Sequence, residues 1–367
     1  MELTRRDFAK LGALGIASQA MPSALAQAGG RKIGYCVIGL GRIADHFMRG
    51  TKDSSTSQIT GLVSGHRDKA LKIAVQYGVP ATSIYSYEQM DAMRSNKAID
   101  AVYVALPNSM HAEYTIRSAK AGKHVLCEKP MATSVADSEA MIAACNAAKV
   151  KLMIAYRLHY EPTTLRAIKL IRDGAIGKVQ SINSANGFNI AKGEWRINKP
   201  LSGGGPLMDV GIYSLNATRY LTGEEPSSIT ASISTVDHDG RFDTVEENTS
   251  WTMQFPSGAL ASCSTTYGAS MPGFYRVYGS KGWLEVSEFG YQNLRLRANY
   301  RTGEKGSAPT ILDEPNTELD PKQFTREVDH MTECILNDKT PQTSGEEGLR
   351  DMRYMQQIYK AAGITAL

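Results

Sequence analysis

From Ile33 onward, short apolar runs alternate with amphipathic stretches. Ile33–Ile38, Gln58–Ser64, Ala101–Ala105, His124–Cys127 and Leu152–Tyr156 read as buried strands. Asp68–Tyr77, Tyr87–Met93, Ala112–Ala121 and Ser134–Ala148 read as the helices between them. Strand and helix alternating at this spacing predict a parallel sheet covered on both faces. Ser134, with Asp137 three residues later, resembles a capping box for the last of these helices.

Beyond Tyr156 the rhythm changes. A helix is predicted over Pro162–Asp173. Longer alternating runs follow at Ser227–Val236, Thr249–Phe255, Ala259–Tyr267, Tyr275–Gly279 and Leu284–Val286, separated by turns such as Pro256-Ser257-Gly258. This predicts a mostly antiparallel sheet with one face under helices. Arg301–Pro321 is polar and reads as loop. Helices near Pro321–Leu336 and Gly345–Ala362 close the chain, the second with a capping box from Ser344 and Glu347. The fold class expected is α/β, a doubly wound parallel sheet, followed by an α+β domain with a large antiparallel sheet. The boundaries expected are 1–28 for a leader, 29–155 for the first domain and 156–367 for the second, whose C-terminal helices have room to pack back on the first.

Composition changes this picture little. Of 367 residues, 42% are apolar and 21% charged, and Lys+Arg exceeds Asp+Glu by 41 − 37 = 4. No basic-aromatic stripe points to nucleic acid, and no downstream apolar run is long enough for a bilayer. The leader is more informative. Thr4-Arg5-Arg6-Asp7-Phe8-Ala9-Lys10, a weakly apolar stretch Leu11–Ala20, and the small-residue endings Ala24-Leu25-Ala26 and Ala26-Gln27-Ala28 read as a twin-arginine signal. An amphipathic helix that stays attached is the alternative. The signal implies passage through the Tat export machinery and a periplasmic mature protein. Five cysteines form no C-x-x-C pair and read as buried thiols.

Ile38-Gly39-Leu40-Gly41-Arg42-Ile43-Ala44 follows the first strand and opens a helix. Gly39 allows the tight turn, Gly41 lets backbone approach a pyrophosphate, and Ala44 is small enough for helix–strand packing. This is the Rossmann dinucleotide turn in its proper place. At the end of strand two, an acidic residue usually takes the ribose 2′-hydroxyl of NAD. Here Ser64-Gly65-His66-Arg67-Asp68-Lys69 offers a hydroxyl and cations, and Arg67 can fork a 2′-phosphate. NADP is therefore expected, although Arg67 and Lys69 also fit a solvated helix start.

Val125-Leu126-Cys127-Glu128-Lys129-Pro130 puts a charged pair at the C-terminal end of a buried strand, where open parallel sheets bind ligands. With this segment the chain resembles the Gfo/Idh/MocA oxidoreductases, and within them the glucose–fructose and aldose–aldose oxidoreductase branch. The resemblance rests on Ala105-Leu106-Pro107-Asn108 with His111, Gly122-Lys123-His124, Glu128-Lys129-Pro130, Tyr156-Arg157, Gly203-Gly204-Gly205 and Asp209-Val210-Gly211-Ile212-Tyr213. It implies catalytic roles for Lys129, Asp209 and Tyr213. It also implies cofactor contacts from Tyr87, Leu106, Asn108, His111, Glu128, Arg157, Trp195 and Arg196, and a sugar contact from Tyr156. Tyr156 and Trp195 fit a core role equally well, and His111 a brace at its helix start.

These residue types suit the oxidation of a sugar hemiacetal at C1. Tyr213 can take the hydroxyl proton and return it in reverse. A free tyrosine has a pKa of about 10, so work near neutrality needs a downward shift of roughly 3 units, or about 4 kcal/mol. An ammonium about 4 Å away supplies roughly that at an effective dielectric of 20. Lys129 as the base, with Tyr213 as a positioning donor, is the alternative. Asp209 would orient the sugar or Lys129, or cap the helix through Tyr213. The remaining histidines and cysteines form no ligand set, so no metal is expected.

An exported enzyme has no ready supply of free NADP, so the nucleotide is expected to travel inside the folded protein and be reset in place. One sugar would be oxidised to its lactone and a second reduced to an alditol, in ping-pong order. The resemblance also implies a proline-rich arm over the nucleotide, but only about Gly29–Lys32 separates the cleavage region from strand one. Retention must then come from the pocket itself, and a dimer is expected rather than an arm-clasped tetramer. An exchanging NADP dehydrogenase and a non-enzymatic dinucleotide sensor are the competing readings.

Overall fold

Six short strands form the first sheet: β1 (Ile33–Ile38), β2 (Ser57–Val63), β3 (Ile84–Tyr85), β4 (Ala101–Val104), β5 (His124–Glu128) and β6 (Leu152–Ala155), in the order β3-β2-β1-β4-β5-β6. Every pairing is parallel. The strands come from a computed structural model that describes residues 31–288, 290–303 and 306–364; the twin-arginine segment and the cleavage region lie outside the described residues. Ile33–Leu367 is one compact unit that contains both sheets.

All six residues of β1 are buried, as a strand covered on both faces requires. On one face lie α1 (Arg42–Lys52) and α2 (Arg67–Tyr77); on the other, α3 (His111–Lys120) and α4 (Val135–Ala147). Phe47 of α1 stacks on Tyr103 of β4 with centroids 3.8 Å apart. The capping expected at α4 is present, with the Asp137 amide donating to Ser134 Oγ at 3.0 Å.

After a short turn Arg157–Tyr160 and α5 (Pro162–Arg172), an eight-stranded sheet is built from β7 (Val179–Gly187), β8 (Ser228–Ser234), β9 (Asn248–Gln254), β10 (Leu260–Thr266), β11 (Met271–Gly279), β12 (Gly282–Ser287), β13 (Arg295–Tyr300) and β14 (Thr310–Pro315), with α6 (Ile212–Thr222) between β7 and β8. The order is β14-β13-β12-β11-β7-β10-β9-β8, antiparallel except for β7 beside β10. Trp251, Tyr275, Val277 and Leu284 face the helices and join the core of the first sheet's α3–α4 side through Met355 and Ile358. These last two lie on α8 (Gly345–Ala361). The preceding helix, α7 (Lys322–Leu336), packs Phe324, Val328 and Met331 against Tyr35 and Phe47 of the first sheet's other layer.

Four sequence expectations need correction. Tyr87–Met93 is not an α-helix; a tight helical turn forms instead at Met90–Ser95. The stretch read as loop contains edge strand β14. The central strand β7 carried no strand signal, because Ile182 is its one large buried aliphatic and most of its other residues are small or polar. Finally, Ser344 stands at the N-cap of α8 but its side chain does not cap the helix: the hydroxyl donates to Glu346 Oε2 at 2.7 Å, and Glu347 turns away to Arg219 and Arg350.

Candidate active site

Backbone builds one half of the site. The chain leaves β1 at Gly39 with φ +87°. A Cβ there would lie 2.5 Å from the Ala105 carbonyl oxygen, so the turn requires glycine. Gly41 is the N-cap of α1 and supplies no side-chain hydrogen bond. A Cβ added at Gly41 would meet nothing within 4 Å. The first amides of α1 therefore face open space at the positive end of the helix, which suits a pyrophosphate. Leu40 and Ala44 are buried beneath this turn, Ile43 is half-buried and Arg42 is exposed. These residues fit a dinucleotide.

At the end of β2, Ser64 is buried and its Oγ accepts the His66 amide at 3.0 Å, so the hydroxyl first serves its own turn. Gly65, His66, Arg67, Asp68 and Lys69 are exposed, and Arg67 starts α2. Tyr87 stands close over Gly65 and packs edge-on against Tyr114 at 5.4 Å. Asn108 donates to the Ser202 carbonyl at 2.8 Å, tying the sheet edge to the glycine-rich segment. His111 is buried with one ring nitrogen 2.8 Å from the Pro130 carbonyl and the other 2.9 Å from that of Leu106. It braces the loops that follow β4 and β5 against each other.

Side chains build the other half. Lys129 extends from the end of β5 into a widened helical turn, Leu207–Gly211, of π type. That turn, a form often found at functional sites, leaves the Asp209 carbonyl able to accept Lys129 Nζ at 2.6 Å, and Asp209 Oδ1 lies 3.2 Å from the same nitrogen. Asp209 is therefore not the helix cap; Gly211 holds that position for α6, with Tyr213 in its first turn. Arg196 Nε approaches Asp209 Oδ2 at 3.0 Å, and the wholly buried Tyr267 donates to the same oxygen at 2.7 Å. Lys129 Nζ sits 4.8 Å from the Tyr213 ring centroid, and the Arg157 guanidinium 5.2 Å from it.

The charges settle in a definite state. Burial works against the Lys129 ammonium, but Tyr213, Asp209 and Glu128 outweigh it, and its pKa is raised. Burial also opposes the Asp209 carboxylate, but Lys129, Arg196 and the Tyr267 hydrogen bond hold its pKa below the ordinary value. Lys129 and Asp209 are thus an ion pair beside Tyr213. Behind them, Glu128 accepts a short hydrogen bond from Tyr103, and the Lys129 amide donates to its other oxygen at 3.2 Å. Glu327 of α7 is fully buried with no hydrogen bond to either carboxyl oxygen; burial, then the nearby Glu128, push it well above the carboxylate range, so it is carried neutral.

Of the residues expected from sequence, Lys129, Asp209, Tyr213, Arg157 and Arg196 come together. Trp195 is half-exposed with the Arg196 guanidinium 4.8 Å from its ring, at the rim. Tyr156 turns the other way, buried beside Asp351 of α8, and does not reach the group. Tyr267, Tyr291, Gln323 and Glu327 were missed. Each comes from a strand end, loop or helix that no motif links to Lys129. All five cysteines are free and buried. Among the described residues, no three His, Cys, Asp or Glu side chains gather as a metal would require, and no helix is long and apolar enough to cross a membrane.

Residues 33–156 match the model of an oxidoreductase family with an NAD-binding Rossmann fold, and residues 164–285 match the GFO/IDH/MocA C-terminal domain. The chain belongs to the Gfo/Idh/MocA oxidoreductase family. Among its relatives, the D-xylose 1-dehydrogenase (NADP(+)) of Haloarcula marismortui is 29% identical over 336 residues, covering 89% of this chain and 90% of that one. D-xylose 1-dehydrogenase (NADP(+)) 2 of Haloferax volcanii is 30% identical over 311 residues, covering 84% and 91%. Among solved structures, the aldose-aldose oxidoreductase of Caulobacter crescentus, complexed with glycerol, is 46% identical with a TM-score of 0.85, covering 91% of this chain and 98% of that one. In this Gfo/Idh/MocA member, Gly39–Gly41 and Lys129 lie within one Rossmann domain, while Asp209 and Tyr213 enter from the second.

Proposed function

We propose that this protein oxidises an aldose at C1 to the aldonolactone and reduces a second sugar, an aldose or fructose, to the alditol, using one tightly held NADP. The observation that carries this reading is the meeting of Lys129 with Asp209 and Tyr213 beside an open glycine turn. The 46% identity to an aldose-aldose oxidoreductase supports the substrate class. The exposed Arg67 and Lys69, with no carboxylate at Ser64, support NADP.

Gly39, Leu40, Gly41, Arg42 and Ile43 would hold the pyrophosphate, and Ser64 through Lys69 the adenosine ribose. Bound there, the nicotinamide would accept hydride from one sugar and give it to the next. Tyr213 takes the proton from the first sugar's C1 hydroxyl and returns it to the carbonyl oxygen of the second. Lys129, held as an ammonium, stabilises the intervening phenolate. Asp209 fixes Lys129 by two contacts and is itself fixed by Arg196 and Tyr267. The two half-reactions together neither take up nor release a proton.

The twin-arginine leader supports export to the periplasm with the nucleotide already loaded. A homodimer is also proposed, through the sheet face turned away from the helices. There Thr230, Thr252 and Ser262 lie exposed on one half. Arg276, Glu285, Arg297 and Asp313 alternate in charge across the other. That face neutralises its own charges and also exposes Leu260, Tyr278 and Ile311, as fits a second copy of itself.

The test is the absorbance of protein purified without added nucleotide. The expected result is an NADPH band that appears with glucose and vanishes with a second sugar. A nucleotide-free protein that turns over only with added NADP would instead be an exchanging dehydrogenase.

A further inference from the structure

The loop between β12 and β13 reaches out of the second sheet and rests on the first domain. Its Tyr291 ring stacks on His46 of α1 with centroids 4.4 Å apart and planes 24° from parallel. The Arg157 guanidinium lies 4.6 Å from the same ring and 5.2 Å from that of Tyr213, so one arginine sits between the two tyrosines. The loop backbone is tied at two points. Arg157 Nη1 donates to the Gly290 carbonyl at 2.9 Å, and Gln323 Nε2 donates to that of Tyr291 at 2.9 Å. Arg157 also donates to Gln323 Oε1 at 2.7 Å, which closes the arrangement. Glu288 and Asn293 at the loop's ends have φ of +63° and +66°, conformations that residues with side chains rarely adopt. Outside anchors, rather than local preference, therefore set the loop's course.

This course has a consequence for the dinucleotide. His46 lies on the helix that opens at Gly41, about 7 Å along its axis from the N-terminus. Arg157 and Tyr213 belong to the hydride-transfer end. Tyr291 thus bridges the helix that opens at the glycine turn and the arginine that lies beside Tyr213.

We propose that Tyr291 is a cofactor-retaining residue: stacked between His46 and Arg157, it clasps the loop over the nicotinamide half of the bound dinucleotide, which leaves only when the loop lifts. This rests on the dinucleotide reading above and gives the pocket-based retention expected from sequence a structural carrier. Burial and the neighbouring Tyr213 push the Tyr291 hydroxyl up to about 12, so it stays protonated and adds no charge beside the nucleotide. The residue is 38% exposed, so shortening it removes the clasp without opening a core.

The experiment follows NADPH release by fluorescence from full-length protein loaded with NADPH and mixed with excess NADP. Tyr291→Ala is expected to release nucleotide about tenfold faster than the parent, the scale of one lost stacking and cation–π contact. Tyr291→Phe keeps the ring and is expected to stay within about twofold. His46→Ala is expected to speed release, and the double variant to release no faster than Tyr291→Ala alone. Parental release from Tyr291→Ala, fast release from Tyr291→Phe, or additive effects in the double variant would overturn the clasp. Should the parent itself lose its nucleotide within seconds, too fast for a retained cofactor but slower than stopped-flow mixing, the retained-cofactor function fails, while the ratio of variant to parent still decides the clasp.

Discussion

The two sheets contribute to the site in opposite ways. The first is buried on both faces and delivers its functional residues at strand ends: Gly39 after β1, Ser64 after β2, and Glu128 and Lys129 at β5. The second has one open face and delivers nothing from strand interiors. Its contributions are a widened turn carrying Asp209, the first turn of α6 carrying Tyr213, Tyr267 just past β10, and the loop that carries Tyr291. The first sheet therefore sets the frame of the site. The second sets its charge state, through groups that must reach across to Lys129.

The largest effect is expected where the second sheet's contribution meets the proton. Tyr213→Phe removes the one hydroxyl assigned to proton transfer and should lower turnover by about 10²–10⁴-fold. Nucleotide bound after purification should be unchanged, because the glycine turn belongs to the other sheet. Single-turnover absorbance with glucose would measure both. Activity close to the parent would move the proton to Lys129 and make the second sheet a scaffold.

A smaller effect is expected one step further from the substrate. Tyr267→Phe leaves Asp209 with Lys129 and Arg196 but without its third partner. Loss of a hydrogen bond to a charged group costs about 1.5–3 kcal/mol, so turnover should fall roughly tenfold or somewhat more. The sign of the pH effect follows from Asp209. Burial raises its pKa, but Lys129, Arg196 and Tyr267 outweigh it, and the folded value is depressed. Its pairing therefore stabilises the protein fully above the unfolded carboxylate value of about 3.9 and is lost as pH falls through the folded value. Without the Tyr267 hydroxyl, the acid limb of activity should move to higher pH. A fall in melting temperature with an unmoved acid limb would reduce Tyr267 to a packing residue.

What sequence reveals divides along the same line. β1 was readable to the residue because six consecutive buried side chains admit no other strand pattern. The glycine turn was readable because its chemistry lies within seven consecutive residues. β7 escaped because one of its faces is open and Ile182 is its one large inward side chain: Ser184 is buried yet satisfied by the Phe274 carbonyl and Ser214. Asp209 and Tyr213 were found through a motif, but the widened turn that aims Asp209 at Lys129 depends on packing against β7 and β10, where Asn186 and Thr265 contact it. Tyr156 shows the converse. It sits beside Arg157 in a recognisable pair, but consecutive residues leaving a strand point to opposite sides, and only Arg157 faces the cleft.

The smallest effect tests this division at two serines that look alike in sequence. Ser134 and Ser344 each precede a helix with an acidic residue three positions on. At α4 the local pattern decides, and Ser134 Oγ accepts the Asp137 amide. Ser134→Ala should cost about 1 kcal/mol. At α8 a distant partner decides. Arg219 of α6, only 4% exposed, draws Glu347 at 2.7 Å into a buried group with Asp351. With Glu347 so engaged, Ser344 Oγ donates to the exposed Glu346 rather than capping the helix. Ser344→Ala should therefore cost within about 0.5 kcal/mol, the range of ordinary surface changes. Urea unfolding of the two variants measures the difference. Equal losses would mean that Ser344 caps its helix in solution and that sequence alone described both ends correctly.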